Sequence, residues 1–94
     1  MIFRVTFLGT GTSTGVPLIG CQCRVCQSPD TRDKRLRSSV LVEIISREKT
    51  GLSLLIDAGP DFRQQMLTYG ITSLHGILLT HEHRDHIAGL DDVR

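Results

Sequence analysis

The sequence is poor in several features that would point to particular classes of protein. Its 94 residues include no tryptophan, one tyrosine and three phenylalanines, and no apolar run is long enough to cross a bilayer. The N-terminal stretch has too short an apolar segment for a secretory signal peptide. Because 11 Lys and Arg offset 10 Asp and Glu, the formal charge of +1 offers no bulk attraction to nucleic acid or a membrane. We therefore expect one small α/β domain in the cytoplasm.

The three cysteines lie close together in CQCRVC, at Cys21, Cys23 and Cys26. An odd, tightly spaced set is a poor disulfide framework, and a reducing compartment keeps thiols free. Three thiolates at this spacing can converge on one zinc ion, with a fourth ligand from elsewhere. A redox pair at Cys23 and Cys26 is the alternative, although such a pair normally opens a helix and this one follows a loop rich in Gly and Pro.

The pattern of apolar residues predicts the order β-loop-β-β-α-β-α. The first strand alternates Phe3, Val5 and Phe7 on one face with polar residues opposite, as a half-buried strand does. Pro60 suits the first residue of a helix and Gly70 suits its end. The predicted strands are 2–8, 38–46, 53–57 and 76–80, with a turn at 47–51, a helix at 60–69 and a second helix from Asp85.

The Gly-rich stretch LGTGTSTGVP lacks the features of a nucleotide-binding loop. A P-loop needs a lysine, and none lies between residues 1 and 33. Gly9, Gly11 and Gly15 are spaced G-x-G-x-x-x-G, which is not the dinucleotide fingerprint. The spacing favours a tight backbone excursion after the first strand. The alternative that its hydroxyls line a site remains open; they belong to Thr10, Thr12 and Ser13.

THEHRDH, residues 80–86, concentrates metal-ligand side chains directly after an apolar strand. His81 and His83 follow the strand end, whereas Asp85 and His86 begin a helix and point in another direction. Imidazole and carboxylate groups suit zinc, manganese or iron. Two ions about 3.5–4 Å apart can share a water that becomes the nucleophile. The pattern therefore predicts a two-metal hydrolytic site, the alternative being a polar loop with surface histidines.

HEHRDH after a strand, with Asp57 upstream in LIDAG, resembles the signature of the metallo-β-lactamase fold hydrolases. TGTSTGVPLIGCQCRVC followed by DTRDKRLRSS resembles the branch that contains the phosphoribosyl 1,2-cyclic phosphate phosphodiesterases of phosphonate breakdown. The resemblance implies the N-terminal half of an αββα sandwich. Residues 1–94 are then expected to be the N-terminal part of a single domain, truncated after its first metal-ligand motif.

The resemblance also implies a role for each candidate residue. His81 and His83 would bind the first metal, Asp85 and His86 the second, and Asp85 would also act in catalysis by orienting the attacking water. Asp57 would support the ligands from behind, and Cys21, Cys23 and Cys26 would hold a structural zinc ion. The remaining active-site ligands and the fourth zinc ligand are expected beyond Arg94. His75 is expected to be a solvated turn residue.

The implied function is that of a metal-dependent hydrolase, a phosphodiesterase that uses two divalent ions (zinc or manganese) and a bridging hydroxide. The expected partner is a small cyclic phosphate or phosphodiester; neither a membrane nor nucleic acid is expected, and a homodimer is compatible with the sequence. The basic run Arg32–Arg37 favours either an anionic substrate or a solvated loop. The alternatives are a protein of the pyrroloquinoline quinone biosynthesis type or the tRNA 3′-processing type, or a non-catalytic zinc-binding interaction module in which the cysteines and one histidine close a single site.

Overall fold

A computed structural model describes residues 2–47, 49–81 and 83–93. One four-stranded sheet has the order β1-β2-β3-β4; the first three strands are antiparallel, and β4 runs parallel to β3. Helix α1 makes the crossover that a parallel pair requires. The elements are β1 (Ile2–Gly9), β2 (Ser39–Ser46), β3 (Lys49–Ile56), α1 (Phe62–Thr68), β4 (Gly76–Leu78) and α2 (Arg84–Ile87), with 3-10 turns at Thr31–Asp33 and Leu90–Asp92.

The predicted order of elements is confirmed, and some of their bounds differ. The turn expected at 47–51 is tighter, because β2 and β3 pair as far as Ser46 and Lys49; Glu48 of that turn lies outside the described residues. Helix α1 begins at Phe62 and not at Pro60. Before it the chain forms a turn, in which the Phe62 amide donates a hydrogen bond to the Gly59 carbonyl at 3.0 Å. Strand β4 ends at Leu78, two residues earlier than the predicted end at Thr80.

The core lies between the sheet and α1. Leu8, Leu41 and Leu55 come from three adjacent strands, and Ala58 and Phe62 follow β3 into the helix. The three leucines share one face of the sheet, where they form a buried cluster with Ala58 and Phe62. Burial of this apolar area is what holds the helix on the sheet.

The opposite face of the sheet corrects one expectation. Phe3, Val5 and Phe7 do share a face, but they are 65%, 55% and 64% exposed, and the first strand buries Leu8 on the other side. They pair with apolar residues of β2, such as Val42 opposite Val5. Strand alternation separates two faces without saying which one α1 covers. A mixed sheet with a helix on one face and an apolar second face is the layer arrangement of half an αββα sandwich, so the fold-class prediction is confirmed.

The Gly-rich loop after β1 is held against the segment Arg35–Arg37. The Gly11 amide donates to the Leu36 carbonyl at 2.8 Å, and Val16 and Arg35 exchange two backbone hydrogen bonds of 2.8 Å. A Cβ on Gly9 would lie 2.0 Å from the Arg37 carbonyl oxygen. The glycines therefore permit a close approach of two backbones, as the expected tight excursion requires.

The basic run is engaged with the protein itself. Arg35 donates to the hydroxyl of Thr10 at 2.8 Å, and Arg37 forms an ion pair with Asp61 at 3.1 Å. Arg32 pairs with Asp30 at 2.8 Å. These contacts favour a structural role for the run over substrate attraction. Among the described residues, no helix has the length and apolar character needed to cross a bilayer.

Candidate metal centre

The end of β4 and the start of α2 bring the predicted ligands of the histidine motif together. His81, Asp85 and His86 each offer a ligand atom, and these atoms lie within 4.8 Å of one another. The ring of His83 lies beside this group, with its centroid 4.5 Å from that of His81. Glu82, between the two histidines, lies outside the described residues. The motif thus forms one cluster at the edge of the sheet.

The donor atoms fit a bound cation. The Asp85 Oδ2 and His86 Nε2 atoms are 2.9 Å apart. Two ligands about 2.1 Å from one ion lie about 3 Å apart at an octahedral angle and about 3.4 Å apart at a tetrahedral one, so this spacing suits one shared divalent metal with an octahedral angle between the two ligands. Nε2 of His86 can coordinate a metal only when the ring proton is on Nδ1. The hydrogen-bond partner of Nδ1 decides which of the two nitrogens carries that proton.

Asp57 is the partner of that nitrogen. Its carboxylate is buried and accepts hydrogen bonds from the Thr80 amide at 2.8 Å, the Thr80 hydroxyl at 2.7 Å and the His86 Nδ1 at 2.6 Å. Burial alone would raise the pKa of Asp57, but the bonds from Thr80 and His86 outweigh it and lower this pKa. An ionised carboxylate only accepts, so Nδ1 of His86 holds the proton and Nε2 faces Asp85.

The backbone of Asp57 is suited to this task by an unusual conformation. Its φ of 66° places it in the left-handed region, which aspartate tolerates better than most residues. The Ser39 hydroxyl donates to the Asp57 carbonyl at 2.8 Å, and the Asp57 amide donates to the Leu78 carbonyl at 2.8 Å. These bonds hold the turn so that the carboxylate points to the end of β4.

Thr80 is a functional candidate that the sequence interpretation missed. The apolar pattern predicts only that Thr80 ends a strand, yet Thr80 supplies two of the hydrogen bonds on Asp57 and its hydroxyl lies 3.0 Å from His81 Nδ1. Its position directly before the histidine motif was the available clue. The backbone turn that aims it at Asp57 is not visible in the sequence.

Thr80→Val should weaken metal binding at the histidine cluster by roughly tenfold, because Asp57 keeps the amide bond and loses the hydroxyl bond. A Co²⁺ or Zn²⁺ titration measures the change. Thr50→Val is the matched control, since that exposed hydroxyl donates to Glu43 at 3.3 Å, remote from the cluster in sequence and on another strand. Equal affinities for wild type and Thr80→Val would contradict the assigned role.

The three cysteines form a second cluster. One sulfur from each of Cys21, Cys23 and Cys26 lies within 4.8 Å of the others, and all three are free thiols. The Cys26 amide, followed by the Cys21 side chain, lowers the pKa of Cys23 to about 7. The hydrogen bond from the Leu18 amide alone would lower the pKa of Cys26, but the neighbouring thiols and burial together outweigh it and raise this pKa. A thiol that ionises near neutral pH is a ready metal ligand.

The surroundings of this cluster weigh against both alternatives for it. Within the described chain no α-helix follows Cys26 before β2, so the arrangement of a redox pair at a helix start is missing. None of the four histidines joins the cysteine group. His75 is exposed, as expected, but it is also tied down: its Nδ1 accepts from the Ser53 amide at 3.0 Å. A closed site of three cysteines and one histidine is not formed by the described residues.

The fold and the histidine cluster together define a metal-binding α/β class. A family model described as the β-lactamase superfamily domain matches residues 53–94, so this part of the chain is similar to that superfamily. The similarity extends to a PhnP-like branch of it. The chain superimposes on the crystal structure of a diphosphatase from the PhnP family with a TM-score of 0.91 and 53% identity, covering 99% of this chain and 35% of that one.

Two further relatives show how far the similarity extends. Zn²⁺-bound PqqB from Methylobacterium extorquens matches with a TM-score of 0.77 and 30% identity, over 99% of this chain and 36% of that one. An octanoyltransferase of Porphyromonas gingivalis is 57% identical over 91 residues, which are 97% of this chain and 18% of that protein. That name describes a whole protein of which only a small part is matched. The chain spans about a third or less of the length of these relatives.

Proposed function

We propose that this chain is the N-terminal part of a cytoplasmic, metal-dependent hydrolase that cleaves phosphoester bonds in small molecules. The observation that carries the proposal is the convergence of His81, Asp85 and His86 on one edge of the sheet, with Asp57 fixing the ring of His86. A metal-ligating histidine usually donates its other ring N–H to a carboxylate that fixes the ring, and the hydrogen bond from His86 to Asp57 fits that pattern. Two active-site ions, zinc or manganese, and one structural zinc ion are the proposed cofactors.

The proposed roles follow from the donor atoms. His81 and His83 would hold one ion, and Asp85 and His86 a second. The bound ions supply Lewis acidity that neutralises phosphate charge and activates water. Asp85 accepts a hydrogen bond from the attacking water and orients it toward phosphorus. Asp57 and Thr80 keep the His86 ring from turning.

The preferred substrate is a small cyclic phosphate or phosphodiester. Divalent ions held by these residues would offset the negative charge that develops when such a bond is broken, which suits this substrate class. A diphosphate is the second candidate, because the similar protein of the PhnP family is described as a diphosphatase. Both reactions break a P–O bond, and they differ in whether the leaving group is an alcohol or a phosphate.

The experiment uses the protein as its gene encodes it, including any polypeptide beyond the 94 residues. Bis(p-nitrophenyl) phosphate and a nucleoside 2′,3′-cyclic phosphate test the diester reaction, and a nucleoside diphosphate tests the second candidate. We expect hydrolysis with Mn²⁺ or Zn²⁺, loss of activity with a chelator, and loss in Asp85→Asn. Hydrolysis of none of these substrates, or activity that is indifferent to the chelator, would contradict the proposal.

We further propose that the missing ligands of both metal sites lie in polypeptide beyond Arg94 and that residues 1–94 alone have no turnover. The chain's coverage of 35% of the diphosphatase supports this. Reading the coding sequence past Arg94 tests it directly: further His and Asp codons are expected, and a stop codon there would contradict it. Elemental analysis of the 94-residue chain should then find easily chelated metal only.

A further inference from the structure

Two glycines mark the place where the segment after β3 touches the ligand helix α2. A Cβ on Gly59 would lie 2.0 Å from the carbonyl oxygen of Asp85, and a Cβ on Gly89 would lie 2.2 Å from the carbonyl oxygen of Gly59. Both obstacles are backbone atoms, which cannot swing aside as a flexible side chain can. Both glycines are buried.

The need for glycine here is a matter of space and not of backbone conformation. The described glycines with positive φ are Gly15, Gly20 and Gly70, so neither Gly59 nor Gly89 requires the left-handed region. Glycine without such a requirement lowers the stability of most local structures relative to alanine. Its presence at two facing positions therefore indicates that close backbone contact is the selected feature.

Backbone hydrogen bonds join the same two segments on either side of the ligands. The Ala58 amide donates to the His86 carbonyl at 2.8 Å, and the Gly89 amide donates to the Ala58 carbonyl at 2.8 Å. Ala58 is fully buried between them. Helix α2 has only four residues, so its own hydrogen bonds are too few to fix its direction. The contact with residues 58–59 supplies the hydrogen bonds that fix the direction of α2.

We propose that Gly59 and Gly89 are positioning residues that seat α2 on the segment after β3, so that Asp85 and His86 are aimed at the metal before it binds. The proposal rests on the proposed function, since it takes these two residues as ligands. It adds that the affinity of the site is set by a backbone contact lying behind the ligands. A side chain as small as a methyl group at Gly59 would displace Asp85.

Cobalt titration of the full protein tests the proposal without relying on activity. Co²⁺ bound to thiolates shows a sulfur-to-metal charge-transfer absorption, whereas Co²⁺ on His and Asp shows ligand-field bands alone, so the two clusters report separately. Gly59→Ala should bind Co²⁺ at the histidine cluster at least tenfold more weakly, with the thiolate absorption unchanged. Gly51→Ala is the matched control, because a Cβ there meets its nearest atom at an ordinary 3.6 Å.

The outcomes separate the two proposals. Absence of Co²⁺ binding at the histidine cluster of the wild type would overturn the proposed function, and the positioning role with it. Normal wild-type binding with equal affinity in Gly59→Ala would overturn the positioning role alone. If Gly59→Ala loses both absorptions because it does not fold, hydrogen exchange of the metal-free wild type decides. Amides of Ala58 and Gly89 that exchange at least tenfold more slowly than that of exposed Gln22 support the proposal, and equal rates refute it.

Discussion

His83→Ala is expected to lower kcat/KM for phosphodiester hydrolysis by at least about a thousandfold in the full protein. Loss of an outer partner of a metal ligand typically costs about 10–100-fold, and loss of the ligand itself costs more. The fold should survive, because His83 is exposed and makes no side-chain hydrogen bond at the start of α2. Steady-state kinetics, metal content and thermal unfolding measure the three effects separately.

His75→Ala is the matched control for that substitution. It also removes an exposed histidine, and one whose contact is with Ser53 of β3 and not with the metal cluster. It should cost some stability and leave kcat/KM within a few-fold of wild type. Substantial activity in His83→Ala, or an equal loss in both variants, would remove the two-metal assignment.

Cys23→Ser should lose one zinc ion per chain and lower the Tm by on the order of 5–10 °C, with a much smaller effect on kcat than His83→Ala. Cys23 lies between the other two cysteines of its cluster, and a serine hydroxyl does not ionise near neutral pH as this thiol does. Elemental analysis and calorimetry provide the measurements.

Gln22→Ser is the control for the cysteine cluster. It also introduces a serine, but at an exposed residue next to Cys23 that is not one of the three cysteines. It should keep its zinc and its Tm. Loss of activity in Cys23→Ser with unchanged zinc content and stability would show that the cluster takes part in the reaction, contrary to the structural assignment.

The order of strands and helices was predictable because local patterns carry it. The alternation in β1 and β2, and Gly70 after α1, each reflect a backbone preference that acts within a few residues. The buried face of β1 was not predictable. Phe3, Val5 and Phe7 are the more apolar set, yet α1 packs on the side of Leu8. The face of the sheet that α1 covers is set by the crossover from β3 to β4, and no residue of β1 indicates it.

The metal centre also has a part that the sequence predicts and a part that it does not. Close spacing in the chain was enough to predict that His81 and His83 lie next to Asp85 and His86, and that the three cysteines lie together. The structure groups the ligand atoms of His81, Asp85 and His86, and those of the three cysteines. The supporting residues are remote in sequence: Asp57 reaches His86 across 29 positions. Thr80 and Gly59 act through their positions relative to a turned backbone, so their residue types alone gave no reason to choose them.

The sequence by itself determined which residues can bind metal and the order of the elements that carry them, because ligand chemistry and local periodicity are properties of neighbouring residues. Only the tertiary structure decided how those residues are aimed. The left-handed turn at Asp57, the hydrogen bonds from Thr80 and the contact of Gly59 with α2 arise where distant segments meet. Each of these contacts joins two segments that are remote in sequence. The distance between such segments is set by the folded sheet and not by the residues next to each of them.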